Sequence, residues 1–104
     1  MSEFENVTIV KKANLYFDGG VTSRTIRFAD GSVKTLGMMQ PGEYQFDTDK
    51  KEHMEMLQGK VSVLLPGESR WQEFGAGETF EIPASASFKI TALELSDYCC
   101  SFID

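Results

Sequence analysis

The sequence predicts an all-β fold, a small barrel or sandwich. Short runs rich in β-branched and aromatic residues alternate with turn signals about every 8 to 12 residues, which is typical of such folds. Pro41, Pro66 and Pro83 lie at the ends of these runs, where a missing backbone N–H does not break a strand ladder. No apolar period near about 3.6 residues with helix caps persists along the chain, so no helix is predicted.

The chain length of 104 residues suits one modest core and is too short for two. We therefore expect a single domain over residues 1–104, with residues 1–13 as an N-terminal arm or strand. Hydrophobic content of 41%, including eight Phe, favours a packed globule over a disordered chain. No apolar run approaches the roughly 20 residues of a membrane helix, and the acidic N-terminus does not resemble a secretion signal. A cytoplasmic protein without membrane contact is expected.

The first half of the chain shows four strand-like runs. Asp18-Gly19-Gly20 predicts a turn, because glycine tolerates the positive φ that tight turns need. Ala29-Asp30-Gly31-Ser32 lies between two β-rich runs, and Asp-Gly in that setting is a strong hairpin signal. The predicted strands cover residues 4–12, 14–17, 21–28 and 33–39.

The second half begins with a corner at Pro41-Gly42. Alternation along the following strand puts Tyr44 and Phe46 on one face and Glu43 on the other. Residues 49–52 are predicted to form a polar loop. The later predicted strands cover residues 54–57, 61–65, 70–74, 79–82, 88–95 and 98–103.

The charge balance argues against a nucleic-acid partner. The net charge is −6, with 16 acidic and 10 basic residues, and no Lys- or Arg-rich block appears. Neutralisation of phosphates supplies most of the affinity for nucleic acid, so a chain of this charge is a poor candidate. One or two basic residues would still be enough for a small anionic ligand.

The two cysteines are adjacent, Cys99 and Cys100. Neighbouring side chains of a strand point to opposite faces, so a disulfide between them would be strained. No further Cys/His set with zinc spacing accompanies them. We expect one buried thiol and one outward-facing or interface thiol, in a reducing compartment.

Two segments resemble the paired sequence motifs of the cupin superfamily. The first runs from Pro41-Gly42-Glu43 through Glu52 to Gly59, and the second from Gly77 to Pro83. This resemblance implies a single-domain jelly-roll β-barrel of the cupin type.

The metal-binding histidines of metal cupins are missing from both motifs. The first motif has Phe46 and Thr48, or Gln45 and Asp47, at the two histidine positions, and the second has Phe88. No metal site is therefore predicted, and the barrel interior is expected to do something other than hold a metal.

A closer resemblance extends over residues 13–103. Its motifs are Asn14-x-Tyr16-Phe17-x-Gly19-x-Val21-x-Ser23, Gly37-x-Met39-x-x-Gly42-Glu43-Tyr44-x-Phe46-x-Thr48, Glu52-x-Met54, Trp71-Gln72 and Tyr98-x-Cys100. This pattern resembles the small single-domain pyrimidine/purine nucleoside phosphorylase family. The resemblance implies a homodimeric, cupin-like enzyme that uses inorganic phosphate to split purine and pyrimidine nucleosides into free base and α-D-ribose 1-phosphate. It implies no cofactor, with phosphate as a co-substrate.

Phosphorolysis needs a phosphate site, and Arg24, next to the matched Ser23, is the first candidate for it. Arg27, Lys34 and Arg70 are the other basic candidates, helped by hydroxyls such as those of Ser23 and Thr35. Arginine forms paired hydrogen bonds to phosphate oxygens that lysine cannot copy.

The ribose and the base need different groups. Glu52 and Glu43 are the candidate catalytic carboxylates, which would accept hydrogen bonds from the ribose hydroxyls. An aromatic wall would bind the base without demanding one hydrogen-bond pattern, and its candidates are Tyr44, Phe46, Trp71 and Phe88. His53, the only histidine, is a weaker candidate for an acid that protonates the departing base.

Two alternatives stay open at this point. One is a non-catalytic cupin module that binds a sugar or nucleotide in the same cavity. The other is a structural dimer whose interior is simply filled by Phe, Met and Trp. A filled core and an aromatic-lined pocket use the same residue types, so the sequence does not separate these possibilities.

Overall fold

The all-β prediction is confirmed by a computed structural model, which describes residues 3–104. Within those residues the chain forms eleven strands and one short 3₁₀ turn, Phe17–Gly19. The strands are β1 Thr8–Ile9, β2 Asn14–Tyr16, β3 Val21–Arg27, β4 Val33–Met39, β5 Gly42–Asp47, β6 Lys51–Gln58, β7 Lys60–Leu64, β8 Gln72–Gly75, β9 Thr79–Ile82, β10 Ser87–Ala92 and β11 Ser96–Ile103.

The strands form two antiparallel sheets. A seven-stranded sheet has the order β1-β3-β4-β11-β6-β9, with β2 also paired to β3, and a four-stranded sheet has the order β5-β10-β7-β8. The C-terminal strand β11 lies between β4 and β6, so the end of the chain completes the middle of the larger sheet. Among residues 3–104, hydrogen bonds do not join the two sheets into a closed barrel, and barrel closure stays a prediction.

The hydrophobic core fills the space between the two sheets. Its side chains alternate with outward-facing ones along each strand, as on β7, where Val61 and Val63 are fully buried. Met56, Ile82 and Ile90 are buried to the same degree. Burying each such side chain contributes roughly 1.5–3 kcal/mol, and these contacts hold the sheets face to face.

Several predicted boundaries are wrong. The N-terminal run over residues 4–12 forms a strand only at Thr8–Ile9, where the Val10 N–H adds one bond to the Thr25 carbonyl, and Phe4 packs edge-on against Phe28. The predicted loop over residues 49–52 is shortened, since β6 begins at Lys51. The strand predicted over residues 88–95 ends at Ala92, where the chain turns toward β11. For the predicted arm, residues 1 and 2 lie outside the described residues.

Close approach of β4 and β11 depends on a glycine. A Cβ atom at Gly37 would lie 2.6 Å from both Cζ and the hydroxyl oxygen of Tyr98, and closer still to the carbonyl oxygen of Thr22 on β3, which is closer than van der Waals contact allows. The Tyr98 ring, on β11, therefore lies across the backbone of β4 only because position 37 has no side chain. The Tyr98 hydroxyl donates to the carbonyl of Thr22 at 3.4 Å, which ties β11 to β3 as well.

Substitution of Gly37 by alanine is expected to lower the free energy of unfolding by about 1–3 kcal/mol, because the added methyl group would overlap both the Tyr98 ring and the backbone carbonyl of Thr22. Urea denaturation followed by circular dichroism measures the change. Gly75→Ala is the matched control, since the nearest atom to a Cβ there is Glu78 Oε1 at 3.7 Å. Equal stability of the two variants would contradict this account of the β4–β11 contact.

Candidate functional site

A cavity of about 160 Å³ opens between the two sheets. Larger depressions lie elsewhere on the surface, of about 450 and 370 Å³ on the outer face of the seven-stranded sheet and of about 640 Å³ beside the C-terminus. The inter-sheet cavity is the better candidate site, because it combines buried hydroxyl groups with several aromatic rings. Its lining residues are Tyr16, Ser23, Thr35, Met39, Phe46, Asp47, Glu52, Met54, Phe88, Tyr98, Cys100 and Phe102.

One wall of the cavity is polar and belongs to the seven-stranded sheet. Ser23 on β3, Thr35 on β4 and Cys100 on β11 are all buried and face inward. The Ser23 hydroxyl accepts a hydrogen bond of 3.2 Å from the Asn14 side-chain amide, which fixes its position. Because that bond uses an acceptor lone pair, the hydroxyl proton of Ser23 can still be donated into the cavity.

Glu52 lies on this polar wall. It is half-buried on β6, inside the segment predicted to be a polar loop, and that loop prediction is wrong at this residue. The Cys100 thiol donates to Glu52 Oε1 at 3.5 Å. Burial raises the pKa of Glu52, and the Cys100 bond offsets this only in part.

The Cys100 thiol and the Tyr98 hydroxyl, which lie on the same wall as Glu52, keep their protons at neutral pH. Burial raises the pKa of the Cys100 thiol, and the nearby Glu52 carboxylate raises it further, because a thiolate there would face a like charge. Burial likewise raises the pKa of Tyr98. The polar wall therefore presents one carboxyl group among neutral hydroxyl and thiol groups.

The opposite wall is aromatic. Phe46 on β5 and Phe88 on β10 stack with their ring centroids 6.0 Å apart and an interplanar angle of 26°, and both line the cavity. Tyr16 meets Phe46 edge-on at 5.7 Å and extends the wall from β2. The structure thus brings together four of the sequence-predicted groups: Ser23, Thr35, Glu52 and the Phe46–Phe88 pair.

Other predicted site residues lie away from the cavity. Arg24 follows Ser23 on β3 and so points to the outer face of the sheet, where its guanidinium donates to the carbonyl of Lys11 at 2.5 Å. Glu43 is exposed on the outer face of β5. Tyr44 is buried in the core, with its hydroxyl donating to the carbonyl of Gln40 at 2.7 Å. Trp71 precedes β8 and is 38% exposed.

The basic candidates are also distant from the polar wall. Arg27 and Arg70 are exposed, and the Lys34 ammonium lies 5.4 Å above the Phe4 ring on the outer face. Within residues 3–104, no Lys or Arg side chain lines the cavity. His53 faces outward from β6, with Nδ1 3.3 Å from a carboxylate oxygen of Glu81.

Sequence reasoning did not assign Tyr98, Cys100, Phe102 and Tyr16 to the site. The first three follow a period of two along β11, which is the signal that could have placed them on one face. No comparable signal marks Tyr16, whose position depends on the turn that follows it.

Neither a metal cluster nor a membrane helix appears in the part of the chain that the structure describes. Over residues 3–104, no three His, Cys, Asp or Glu side chains come together in a group that could hold a metal ion. Thr48, at one of the former histidine positions, donates to the carbonyl of Pro83 at 2.7 Å and so closes a turn. No helix in the same residues is long and apolar enough to span a membrane.

A stability measurement tests the environment of Glu52. Its folded-state pKa lies above the ordinary value of 4.5, so the folded protein holds this proton more tightly than the unfolded chain does. Its contribution to stability is therefore present at acidic pH and is lost as pH rises through the folded-state pKa. The Glu52→Gln variant should gain stability relative to the wild type as pH rises from about 4 to about 8.

Urea denaturation at several pH values measures this difference. Glu43→Gln, which removes an exposed carboxylate, is the matched control. An offset of Glu52→Gln from the wild type that varies with pH no more than that of Glu43→Gln would contradict a buried, desolvated carboxyl group.

Comparisons with known proteins give a consistent result. A family model described as pyrimidine/purine nucleoside phosphorylase matches residues 11–102. A protein of that name from Hydrogenovibrio crunogenus is 61% identical over 104 residues, covering all of both chains. The crystal structure of a protein of unknown function from Acinetobacter sp. ADP1 has a TM-score of 0.93 at 37% identity, covering 97% of this chain and 98% of that one.

A more distant comparison concerns the fold alone. The crystal structure of a cupin-2 domain protein from Shewanella frigidimarina has a TM-score of 0.66 at 19% identity, covering 79% of each chain. The cupin-like fold implied by the sequence motifs is therefore confirmed.

Proposed function

The chain belongs to the pyrimidine/purine nucleoside phosphorylase family, and from that premise we propose that the inter-sheet cavity is its active site. The enzyme splits purine and pyrimidine nucleosides with inorganic phosphate, giving free base and α-D-ribose 1-phosphate. The observation that carries this assignment is the pairing of a polar wall with an aromatic wall across one cavity. A nucleoside has the same division, with a hydroxylated sugar joined to a flat base.

The reaction exchanges one bond at the anomeric carbon for another. The C1′–N bond breaks, its electron pair leaves with the base, and an oxygen of phosphate forms the new C1′–O bond. The departing base takes up a proton, and the sugar passes through a ribosyl cation-like state. Positioning and electrostatic stabilisation supply the acceleration, so no covalent enzyme intermediate is required.

The stereochemistry of this exchange orders the ligands in the cavity. A β-nucleoside that yields an α-phosphate has been inverted at C1′, so phosphate and base occupy opposite faces of the ribose. The 2′ and 3′ hydroxyls lie on the face that the phosphate approaches. We therefore assign the ribose hydroxyls and the phosphate to the polar wall, and the base to the aromatic side.

Glu52 is the proposed catalytic carboxylate. It accepts hydrogen bonds from the ribose hydroxyls, and its negative charge stabilises the ribosyl cation in a site of low dielectric. Cys100, whose thiol donates to Oε1, is a positioning residue for this carboxylate.

The phosphate is assigned to the hydroxyl groups of Ser23 and Thr35. Both are buried on the polar wall, on neighbouring strands β3 and β4, whereas the Arg24 guanidinium lies on the outer face of the sheet. These assignments need no metal and no organic cofactor. They also fit a jelly-roll barrel in which one end of the inter-sheet space is left open.

A non-catalytic sugar-binding module is the second candidate function. The observation that favours it is the lack of cationic side chains on the polar wall, where hydroxyls face the cavity without an accompanying Lys or Arg in residues 3–104. Such a wall suits an uncharged sugar. Family membership favours the enzyme, and turnover distinguishes the two.

Turnover is measured as base release from inosine or uridine with and without inorganic phosphate. Glu52→Gln should lower kcat by about 10²-fold, because a neutral amide cannot stabilise the ribosyl cation. Activity of the wild type should survive prolonged dialysis against a chelator. Release that ignores phosphate would indicate a hydrolase, and no release from any nucleoside would favour the sugar-binding module.

Glu43→Gln is the control for the same assay. It removes a carboxylate from a neighbouring motif position, but that side chain is exposed on the outer face of β5. A loss of activity equal to that of Glu52→Gln would contradict the placement of the site between the sheets.

We further propose a symmetric homodimer in the cytoplasm. Four apolar residues on the outer face of the seven-stranded sheet are exposed: Ile9 (57%), Leu15 (68%), Met38 (38%) and Leu57 (38%). A second copy of the chain would cover this apolar surface. Both cysteines are free thiols, which suits a reducing compartment.

Light scattering after size exclusion tests the dimer. The wild type should have twice the chain mass of 11.6 kDa, and Met38→Glu should shift it toward the monomer by placing a charge in the apolar face. Leu93→Glu, 49% exposed in the β10–β11 connection, is the matched control and should stay dimeric. A monomeric wild type would contradict the proposal.

A further inference from the structure

The turn between β2 and β3 is strained and sits at the mouth of the cavity. Phe17 and Asp18 have φ values of 53° and 55°, so two successive residues with side chains adopt the left-handed conformation. A β-carbon makes this conformation unfavourable, and a bulky aromatic residue in it is uncommon. Such strain persists only where surrounding contacts hold it, and it clusters at functional sites.

The strained turn holds two aromatic rings in an exposed position. Tyr16 is 43% exposed and Phe17 is 51% exposed. Phe17 packs against Tyr44 at 5.0 Å and against Phe46 at 5.4 Å, so the turn is anchored on the aromatic side of the molecule. Backbone strain and exposed apolar surface both disfavour the folded state, and burial of a ligand against these rings would offset that cost.

The Tyr16 and Phe17 rings extend the aromatic wall outward from Phe46. Phe88 and Phe46 stack inside the cavity, and Tyr16 meets Phe46 at an interplanar angle of 79°. The Tyr16 ring is therefore nearly perpendicular to the Phe46 ring at the mouth of the cavity. A flat ligand lying on the Tyr16 ring would meet the Phe46 ring edge-on.

The small volume of the cavity indicates that the base would lie at its mouth, beside Tyr16. At about 160 Å³ it is smaller than the roughly 300 Å³ or more of sites that enclose a drug-sized ligand. A nucleoside with its ribose on the polar wall would then be only partly enclosed, and its base would project toward Tyr16.

We propose that Tyr16, held by the strained Phe17–Gly19 turn, is the stacking platform for the nucleobase. This inference rests on the proposed function and adds a specificity-determining residue to it. Stacking uses the π-face that every base has, so the platform accepts purines and pyrimidines alike. Purines should depend on it more, because their two fused rings cover more of the tyrosine face.

The test compares Tyr16→Leu and Tyr16→Phe with the wild type in both reaction directions. For Tyr16→Leu, KM for inosine should rise about tenfold and KM for uridine should rise less. In the synthetic direction, KM for hypoxanthine should rise while KM for ribose 1-phosphate stays the same. Tyr16→Phe keeps the stacking face and should behave like the wild type.

Trp71→Leu is the matched comparison, since Trp71 is a similarly exposed aromatic residue that does not line the cavity. A base KM raised as much by Trp71→Leu as by Tyr16→Leu would overturn the proposal. Unchanged base KM in Tyr16→Leu, or a Tyr16→Phe variant as impaired as Tyr16→Leu, would also overturn it.

Calorimetric titration with inosine in the absence of phosphate separates this inference from the proposed function. A wild type that binds inosine in this titration, yet releases no base when phosphate is then added, would overturn the phosphorylase assignment, and the Tyr16→Leu titration would still test the platform. Weaker inosine binding by Tyr16→Leu, but not by Tyr16→Phe or Trp71→Leu, supports the stacking platform. Inosine binding by Tyr16→Leu equal to that of the wild type overturns it.

Discussion

The Tyr98 ring lies across the bare backbone of Gly37, and the polar wall depends on that contact. It sets how closely β11 approaches β4, and β11 carries Cys100 and Phe102 on the same face as Tyr98. Because the strand is central to the larger sheet, its register also fixes β6 and therefore Glu52. A local steric requirement at one glycine thus positions groups from four strands around one cavity.

The electrostatics of the cavity follow from this placement. The Glu52 carboxyl group is half-buried among hydroxyl and thiol groups whose protons are retained at neutral pH, whereas Asp47, the other carboxyl group that lines the cavity, is exposed. Burial strengthens each electrostatic interaction with a bound ligand, because less water screens it. A carboxylate in such a site can stabilise a developing cation strongly, whereas the same group on the outer face, like Glu43, would be screened by solvent.

Much of the fold could be predicted from the sequence, because its signals are local. The Asp30-Gly31 hairpin formed as predicted, with Gly31 at φ 89° and the Asp30 carboxylate accepting from the Ser32 backbone. The site was harder to predict, because a motif match locates a segment without giving the direction of each side chain. Ser23 and Arg24 are neighbours in sequence, yet they face opposite sides of β3.

The same alternation separates Glu43 from Tyr44, and burial then removes Tyr44 from the cavity. Phe46 and Phe88 do line the cavity, as the positions of the missing histidines suggested. Their role in binding a base stays a prediction. Tyr16 could not have been placed, since two successive left-handed residues at Phe17 and Asp18 have no sequence signature.

A crystal structure of the enzyme soaked with α-D-ribose 1-phosphate would locate the substrate. We expect the sugar between the two sheets, with its hydroxyls within hydrogen-bond distance of Glu52 and its phosphate on the Ser23 and Thr35 hydroxyls. Density for the phosphate on the Arg24 guanidinium, at the outer face of the seven-stranded sheet, would overturn this placement.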